Sequence, residues 1–397
     1  MKKTFSLENF IYLAIVAMPA YLWKISFLGV PTNMFELMAS VAVIWFVIER
    51  RTFKIALRGY EKYFIPIVMI MGGLALGTLF GGSVLVGLGI IKSWFIIPMV
   101  FAFVALEATR REKSGAVLEA TYISALLVAS VALVYFFLGE MTYDGRLKAF
   151  YNSPNYLAMF LAPAIIIGGA FFAKRKAFYA ISLPIILSAL YLTFSYAAWL
   201  AVFVAAGGLV FLNENGWKKW KSALFLGLVA GIIIFFQIGT SKFDGLVRLE
   251  DRSSLASRMM IWNSAGKMIV DNAFLGIGPG NFQDKYLEYQ KYFPPYLEWA
   301  VPQPHNLFLA FWLQAGLAGL AGFLAILVLW FRDLSGSWKK EVDWGAAAII
   351  IYILVHGIFD TTYFKNDLAV LFWLSFFVGI KKSSELGSER KTTLRIK

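Results

Sequence analysis

The chain has 397 residues, 59% of them hydrophobic and only 15% charged, with a formal net charge of +13. That ratio excludes an ordinary soluble domain, because many apolar runs approach or exceed the roughly 20 residues that cross a bilayer core. With no cysteine and only two histidines, His305 and His356, it also excludes a disulfide framework, a thiol nucleophile and a Cys- or His-rich metal site. The positive charge falls in short clusters between apolar runs, which is the pattern of cytoplasmic loops and not of a nucleic-acid surface.

In chain order, MKKTF and the apolar run behind it read as an uncleaved first helix rather than a signal peptide. The sequence predicts an all-α integral membrane protein, one polytopic domain over 1–397, with about twelve spans. These are placed at 9–27, 35–48, 63–80, 84–107, 115–138, 155–172, 178–194, 196–212, 222–239, 305–331, 344–360 and 367–380. If the chain starts inside, clusters such as Arg50, Arg51 and Lys54, then Arg110, Arg111 and Lys113, then Lys174, Arg175 and Lys176, and then Lys218, Lys219 and Lys221 all fall in the cytoplasm. The short loops on the other side hold only Arg146, Lys148 and Lys365. This bias predicts cytoplasmic termini, with one large extracytoplasmic loop, 240–304, between the ninth and tenth spans. No internal repeat or low-complexity segment divides the chain.

Within that loop, SSLASRMMIWNSAGKMIVDN (253–272) predicts an amphipathic helix capped by Ser254. Its apolar residues Leu255, Met259, Trp262, Ala265 and Ile269 recur at helical spacing. Such a helix lies along the interface or packs over the bundle as a lid. The next segment, GIGPGNF (276–282), has neither a preceding strand nor a Lys-Ser/Thr ending, so it reads as a tight turn and not a phosphate loop. Tyr286, Tyr289, Tyr292, Phe293, Tyr296 and Trp299 suit either sugar stacking or an interfacial aromatic belt.

His305 stands where a span begins at the outer water–membrane boundary. It can serve there as a general base toward an incoming hydroxyl or as a structural hydrogen-bonding residue. His356 and Asp360, at i,i+4 spacing near the outer end of the eleventh span, are expected to form a supporting polar pair. Arg258, Arg252 and Arg146 offer guanidinium groups suited to a phosphate or diphosphate, or to anionic lipid headgroups. Ionisable residues inside spans are few, chiefly Glu36 and Lys92, which argues against an ion-coupled carrier.

DNAFLGIGPGNF, followed by PHNLFLAFWLQAGLAGL, resembles the core of the O-antigen ligase and polymerase superfamily. His305 and Gly316 match its H-x10-G pattern, and Arg258 matches the upstream arginine. RLKAFYNSPNYLAMFLAP resembles the family's Arg…Asn-Pro-Asn segment at Arg146, Asn152, Pro154 and Asn155. The resemblance implies a GT-C-type glycosyltransferase of a bacterial inner membrane, with its active site extracytoplasmic and without metal or other cofactor. It implies a donor glycan on undecaprenyl diphosphate and a lipid or glycan acceptor, with surrounding membrane lipids and no nucleic acid as partner. His305 and Arg258 are then the catalytic candidates. Arg146, Tyr196, Arg252, Asn155 and Asn306 line the substrate, and His356, Asp360, Gly278 and Gly316 support them. The chain departs from the family at SYAAWL, where Tyr196 occupies the place of a second arginine. Arg146 or Arg252 is then expected to supply the missing charge. A ligase and a polymerase both fit, and a polyprenyl-glycan flippase is the alternative from a different class.

Overall fold

A computed structural model describes residues 6–27, 29–49, 60–109, 113–213, 216–240, 243–244, 247, 253–294, 299–335 and 341–395. Among the described residues the fold is a bundle of helices with one short hairpin. Helix α1 (Leu7–Val16) is followed by a tight 3-10 turn, Met18–Leu22, and by the antiparallel strands β1 (Lys24–Phe27) and β2 (Val30–Asn33). The single long span expected at 9–27 is therefore not formed. Pro19 at the start of the 3-10 turn has no N–H to continue the helical ladder.

Next come α2 (Met34–Glu49), α3 (Phe64–Gly81), α4 (Val84–Ile90), α5 (Ile97–Ala108), α6 (Ser114–Phe137), α7 (Pro154–Phe171), α8 (Lys176–Tyr191), α9 (Tyr196–Asn213) and α10 (Gly216–Phe235). A π-helical turn, Ile91–Ile96, joins α4 to α5. It carries Lys92, whose ammonium bonds the Pro31 carbonyl at 2.7 Å and pairs with Glu36 at 2.9 Å. The two ionisable residues expected inside spans thus neutralise each other beside the hairpin.

The rest of the chain forms α11 (Ser254–Asp271), α12 (Phe282–Tyr289), α13 (Leu307–Ser335), α14 (Glu341–His356) and α15 (Asn366–Arg395). Among the described residues, five helical stretches are long and apolar enough to cross a membrane: Glu61–Gly81, Val84–Ala108, Ser114–Phe137, Pro154–Lys174 and Leu307–Leu334. Shorter apolar helices, among them Lys176–Tyr191, Tyr196–Phe211, Trp344–His356 and Asn366–Ile380, pack with them. The chain is an all-α multi-pass membrane protein.

A joint of bare backbone fixes α11 and α13 relative to the bundle. At Gly316, φ is +66° and ψ −172°, which breaks the helical path of α13. Leu317 N–H, which would otherwise bond the Leu313 carbonyl, donates instead to Phe274 O at 3.1 Å. The freed Leu313 carbonyl accepts from Ile277 N–H at 2.7 Å and from Gly278 N–H at 3.1 Å. The two segments thus exchange backbone partners, so the Leu317 N–H and the Leu313 carbonyl both stay paired at the kink. A Cβ on Gly316 would lie 2.1 Å from Phe274 O, and one on Gly276, where φ is +69°, would lie 2.3 Å from Leu313 O. GIGPGNF is a tight turn whose task is close backbone approach.

Candidate active site

The site gathers at one end of the bundle, where α7, α9, α13 and α15 begin and α14 ends. Its centre is Asp360, a buried carboxylate in the loop after α14. Oδ1 faces His305 Nδ1 at 3.0 Å and accepts from Thr361 N–H at 2.9 Å. Oδ2 accepts from Asn155 Nδ2 at 3.1 Å and lies 3.9 Å from the Arg258 guanidinium. Burial by itself pushes this carboxyl up. The adjoining His305 and then Arg258 outweigh that and hold it well below the usual carboxylate range.

His305 precedes α13 in a left-handed backbone conformation, φ +47°. For a residue with a Cβ this costs on the order of 1–3 kcal/mol and survives only where neighbours impose it. Here they do. Trp262 Nε1 donates to the His305 carbonyl at 3.3 Å, Leu307 N–H donates to Gly357 O at 2.6 Å, and Asn306 anchors to Ile358 O at 2.9 Å. With Asp360 accepting at Nδ1, the neutral ring carries its proton there and keeps the Nε2 lone pair free. Nε2 has no partner among the described residues, and the side chain is 28% exposed.

Arg258 sits one turn into α11. Its Nε donates to Phe359 O at 2.8 Å, and one terminal nitrogen reaches the carbonyl of Ser254 at 3.2 Å and the hydroxyl of the same residue. The other terminal nitrogen points toward Asp360. The helix cap is Ser253, whose hydroxyl accepts from Ala256 N–H at 3.2 Å, and not the expected Ser254. The buried face also differs from the predicted stripe. It runs through Met260, Ile261, Ser264, Ala265, Met268 and Ile269, while Met259 is exposed. α11 packs on the 276–282 turn and α13.

Arg146 reaches the same pocket from the loop before α7. Its Nε donates to Thr193 O at 2.8 Å, another nitrogen donates to Asn155 Oδ1 at 2.6 Å, and Asp144 lies 3.9 Å away. Burial lowers its pKa, opposed by Asp144 and assisted by Arg258. A chain of contacts therefore runs from Arg146 through Asn155 and Asp360 to both His305 and Arg258.

Other expected residues take different places. Among the described residues the side chains of His356 and Asp360 do not bond each other, although Asp360 N–H donates to the His356 carbonyl at 3.0 Å. α14 ends at His356 and the chain turns beyond it, so His356 Nδ1 pairs with the Tyr352 hydroxyl at 2.6 Å while the Asp360 carboxylate turns to His305. The side chain of Asn306 caps α13, accepting from Phe308 and Leu309 N–H at 2.9 and 3.0 Å. Tyr196 opens α9 and donates to Gln237 Oε1 at 2.9 Å. Gly278 and Gly316 belong to the backbone joint. Arg252 and Tyr296 lie outside the described residues. Tyr286 is fully buried and packs on Phe282, whereas Tyr292 and Trp299 are exposed. Among the described residues no cluster of His, Asp and Glu is arranged to hold a metal ion. The central place of Asp360, with His305 rather than His356 as partner, had no local signal in the sequence, because 55 residues separate the two.

Fold and site together define a multi-pass helical membrane protein with a His–Asp–Arg constellation at one end of its bundle. A family model described as O-antigen ligase matches residues 181–324, a stretch that contains Arg258, the glycine turn and His305. The O-antigen ligase of Salmonella typhimurium (strain LT2) is 26% identical over 200 residues, covering 47% of this chain and 47% of that one. The match thus spans about half of the relative's length. Both findings support the O-antigen ligase superfamily for this chain.

Proposed function

We propose that this protein is a membrane glycosyltransferase that moves a glycan from an undecaprenyl-diphosphate carrier to an acceptor hydroxyl on the extracytoplasmic face, in the manner of an O-antigen ligase. The observation that carries this reading is the pairing of His305 with Asp360 beside Arg258, which leaves one imidazole nitrogen open next to a cationic wall. The alternation of basic clusters favours the extracytoplasmic side. Lys174, Arg175 and Lys176 follow the far end of α7, opposite Asn155.

In this mechanism the isoprenoid tail enters between helices, and Arg258 with Arg146 holds the diphosphate. His305 Nε2 takes the proton of the acceptor hydroxyl as its oxygen attacks the anomeric carbon. The bond from that carbon to the phosphate oxygen breaks on the opposite face, so configuration inverts and the electron pair leaves with undecaprenyl diphosphate. Asp360 orients the ring and stabilises the imidazolium that forms. The guanidinium groups stabilise the negative charge growing on the leaving group in a partly dehydrated pocket. Confinement of both reactants to one membrane plane supplies further acceleration.

The test is to give the purified full chain a polyprenyl-diphosphate glycan and candidate acceptors, lipid A core and a second carrier-linked glycan among them. The account predicts a new glycan–acceptor product together with released polyprenyl diphosphate. Movement of intact carrier-linked glycan across proteoliposomes without any such product would show a flippase instead.

A further inference from the structure

Lys365 closes the loop that begins after α14 and leads directly into α15. Its ammonium lies over the ring of Tyr156, 3.7 Å from the centroid. Among the described residues, none of its three N–H bonds is taken up by an oxygen. A partly buried ammonium ordinarily finds an anion, since an unpaired charge away from water is costly.

The nearby carboxylates are already engaged. Asp360 serves His305, Asn155 and Thr361 N–H, and Asp367 accepts from the Tyr151 hydroxyl at 3.1 Å and from Leu368 N–H at 2.9 Å. Burial lowers the Lys365 pKa, only partly opposed by Asp367 and Asp360, and the like charge of Lys24 on β1 lowers it further. Both arginines of the site already give donors to protein oxygens. Arg146 uses them on Thr193 and Asn155, and Arg258 uses them on Phe359 and Ser254. Tyr196, bonded to Gln237, brings no charge. Unlike both arginines, the Lys365 ammonium has no oxygen partner among the described residues. The Tyr156 ring holds it in place at little entropic cost, as aromatic faces do for ammonium groups.

We infer that Lys365 is a substrate-binding residue that, together with Arg258, takes up the diphosphate of the polyprenyl-linked donor. This rests on the transferase reading above. A diphosphate carries more charge and more acceptor oxygens than a monophosphate, so a cation additional to Arg258, held over Tyr156 beside the Asn155 that bonds Asp360, discriminates between them. Lys365 touches no bond that breaks or forms. It sets donor affinity.

The experiment uses the purified full chain in lipid nanodiscs. It measures binding of undecaprenyl diphosphate and undecaprenyl monophosphate, and separately KM and kcat for transfer. Lys365→Gln is expected to weaken diphosphate binding roughly tenfold, equivalent to about 1.4 kcal/mol, and to raise the donor KM similarly. Monophosphate binding and kcat should change much less. Lys365→Arg should recover most of the affinity, which loss of a merely structural contact would not require. Tyr156→Leu, which removes the supporting ring but keeps the charge, should weaken diphosphate binding by roughly threefold. If Lys365→Gln yields no monodisperse protein, the Arg and Leu variants decide the matter. Diphosphate affinity unchanged in Lys365→Gln, or in Tyr156→Leu where only that variant folds, overturns the inference. With wild-type transfer intact and abolished in His305→Ala, such a result would leave the transferase reading standing. Absence of wild-type transfer and of diphosphate binding would remove both.

Discussion

At the glycine joint, backbone meets backbone. Leu317 gives up its own helix to bond Phe274, and the 276–278 turn takes the carbonyl that this frees. Around Asp360, side chains meet side chains drawn from α7, α11, the start of α13 and the loop after α14. The first region is constrained by steric exclusion at single atoms, so only glycine fits. The second is constrained by charge and donor geometry, so residue type matters more than volume. Function depends on both, but in different currencies: the joint fixes where α11 and α13 stand, and the pocket decides what their ends can do.

Asp360→Asn attacks the pocket alone and should show the largest effect of the substitutions aimed at this contrast. The amide cannot accept at every position the carboxylate now fills, and it leaves Arg258 and the imidazole without their counter-ion. Transfer should fall by about 10²- to 10⁴-fold, the range typical when the orienting carboxylate of a general base is lost. A measurement of initial rates checks this. A fall of less than a few-fold would mean that the ring is oriented by something else. Gly316→Ala attacks the joint alone. The methyl group meets Phe274 O at 2.1 Å on a backbone with positive φ, so folding should lose more than about 1 kcal/mol. Thermal unfolding in detergent should register that loss, while the rate per folded molecule changes far less than in Asp360→Asn. Equal losses of rate in the two variants would erase the distinction.

The smallest effect is one of pH. Asp360 has a folded-state pKa depressed below its unfolded value, so its stabilisation is present above the unfolded carboxylate range and is lost as pH falls toward the folded value. The gap in unfolding temperature between wild type and Asp360→Asn should therefore narrow as pH drops below about 4. A gap that widens on acidification would contradict the depressed pKa.

The membrane class, the helix over 253–272 and the turn at 276–282 were legible because each is written locally, as an apolar run, a periodicity or a glycine cluster. What was missed depends on distant partners. Met259 and Met260 are equally apolar, so hydropathy alone cannot phase α11, and its packing against α13 and the turn chooses Met260. Ser253 and Ser254 are equally good caps by type; the second is needed to receive Arg258. The His356–Asp360 spacing suggested a side-chain pair, but only their backbones bond, because Tyr352 takes the imidazole and the distant His305 takes the carboxylate. Lys365 looked like one more loop charge, because its neighbour Tyr156 is more than two hundred positions away.

The most direct measurement is the initial rate of glycan transfer by His305→Ala beside the wild type, in protein shown by its unfolding temperature to be folded. The account predicts loss of at least about 10²-fold in rate with donor binding largely kept, because the imidazole handles the acceptor proton and not the diphosphate. A His305→Ala protein that transfers glycan at the wild-type rate would contradict it.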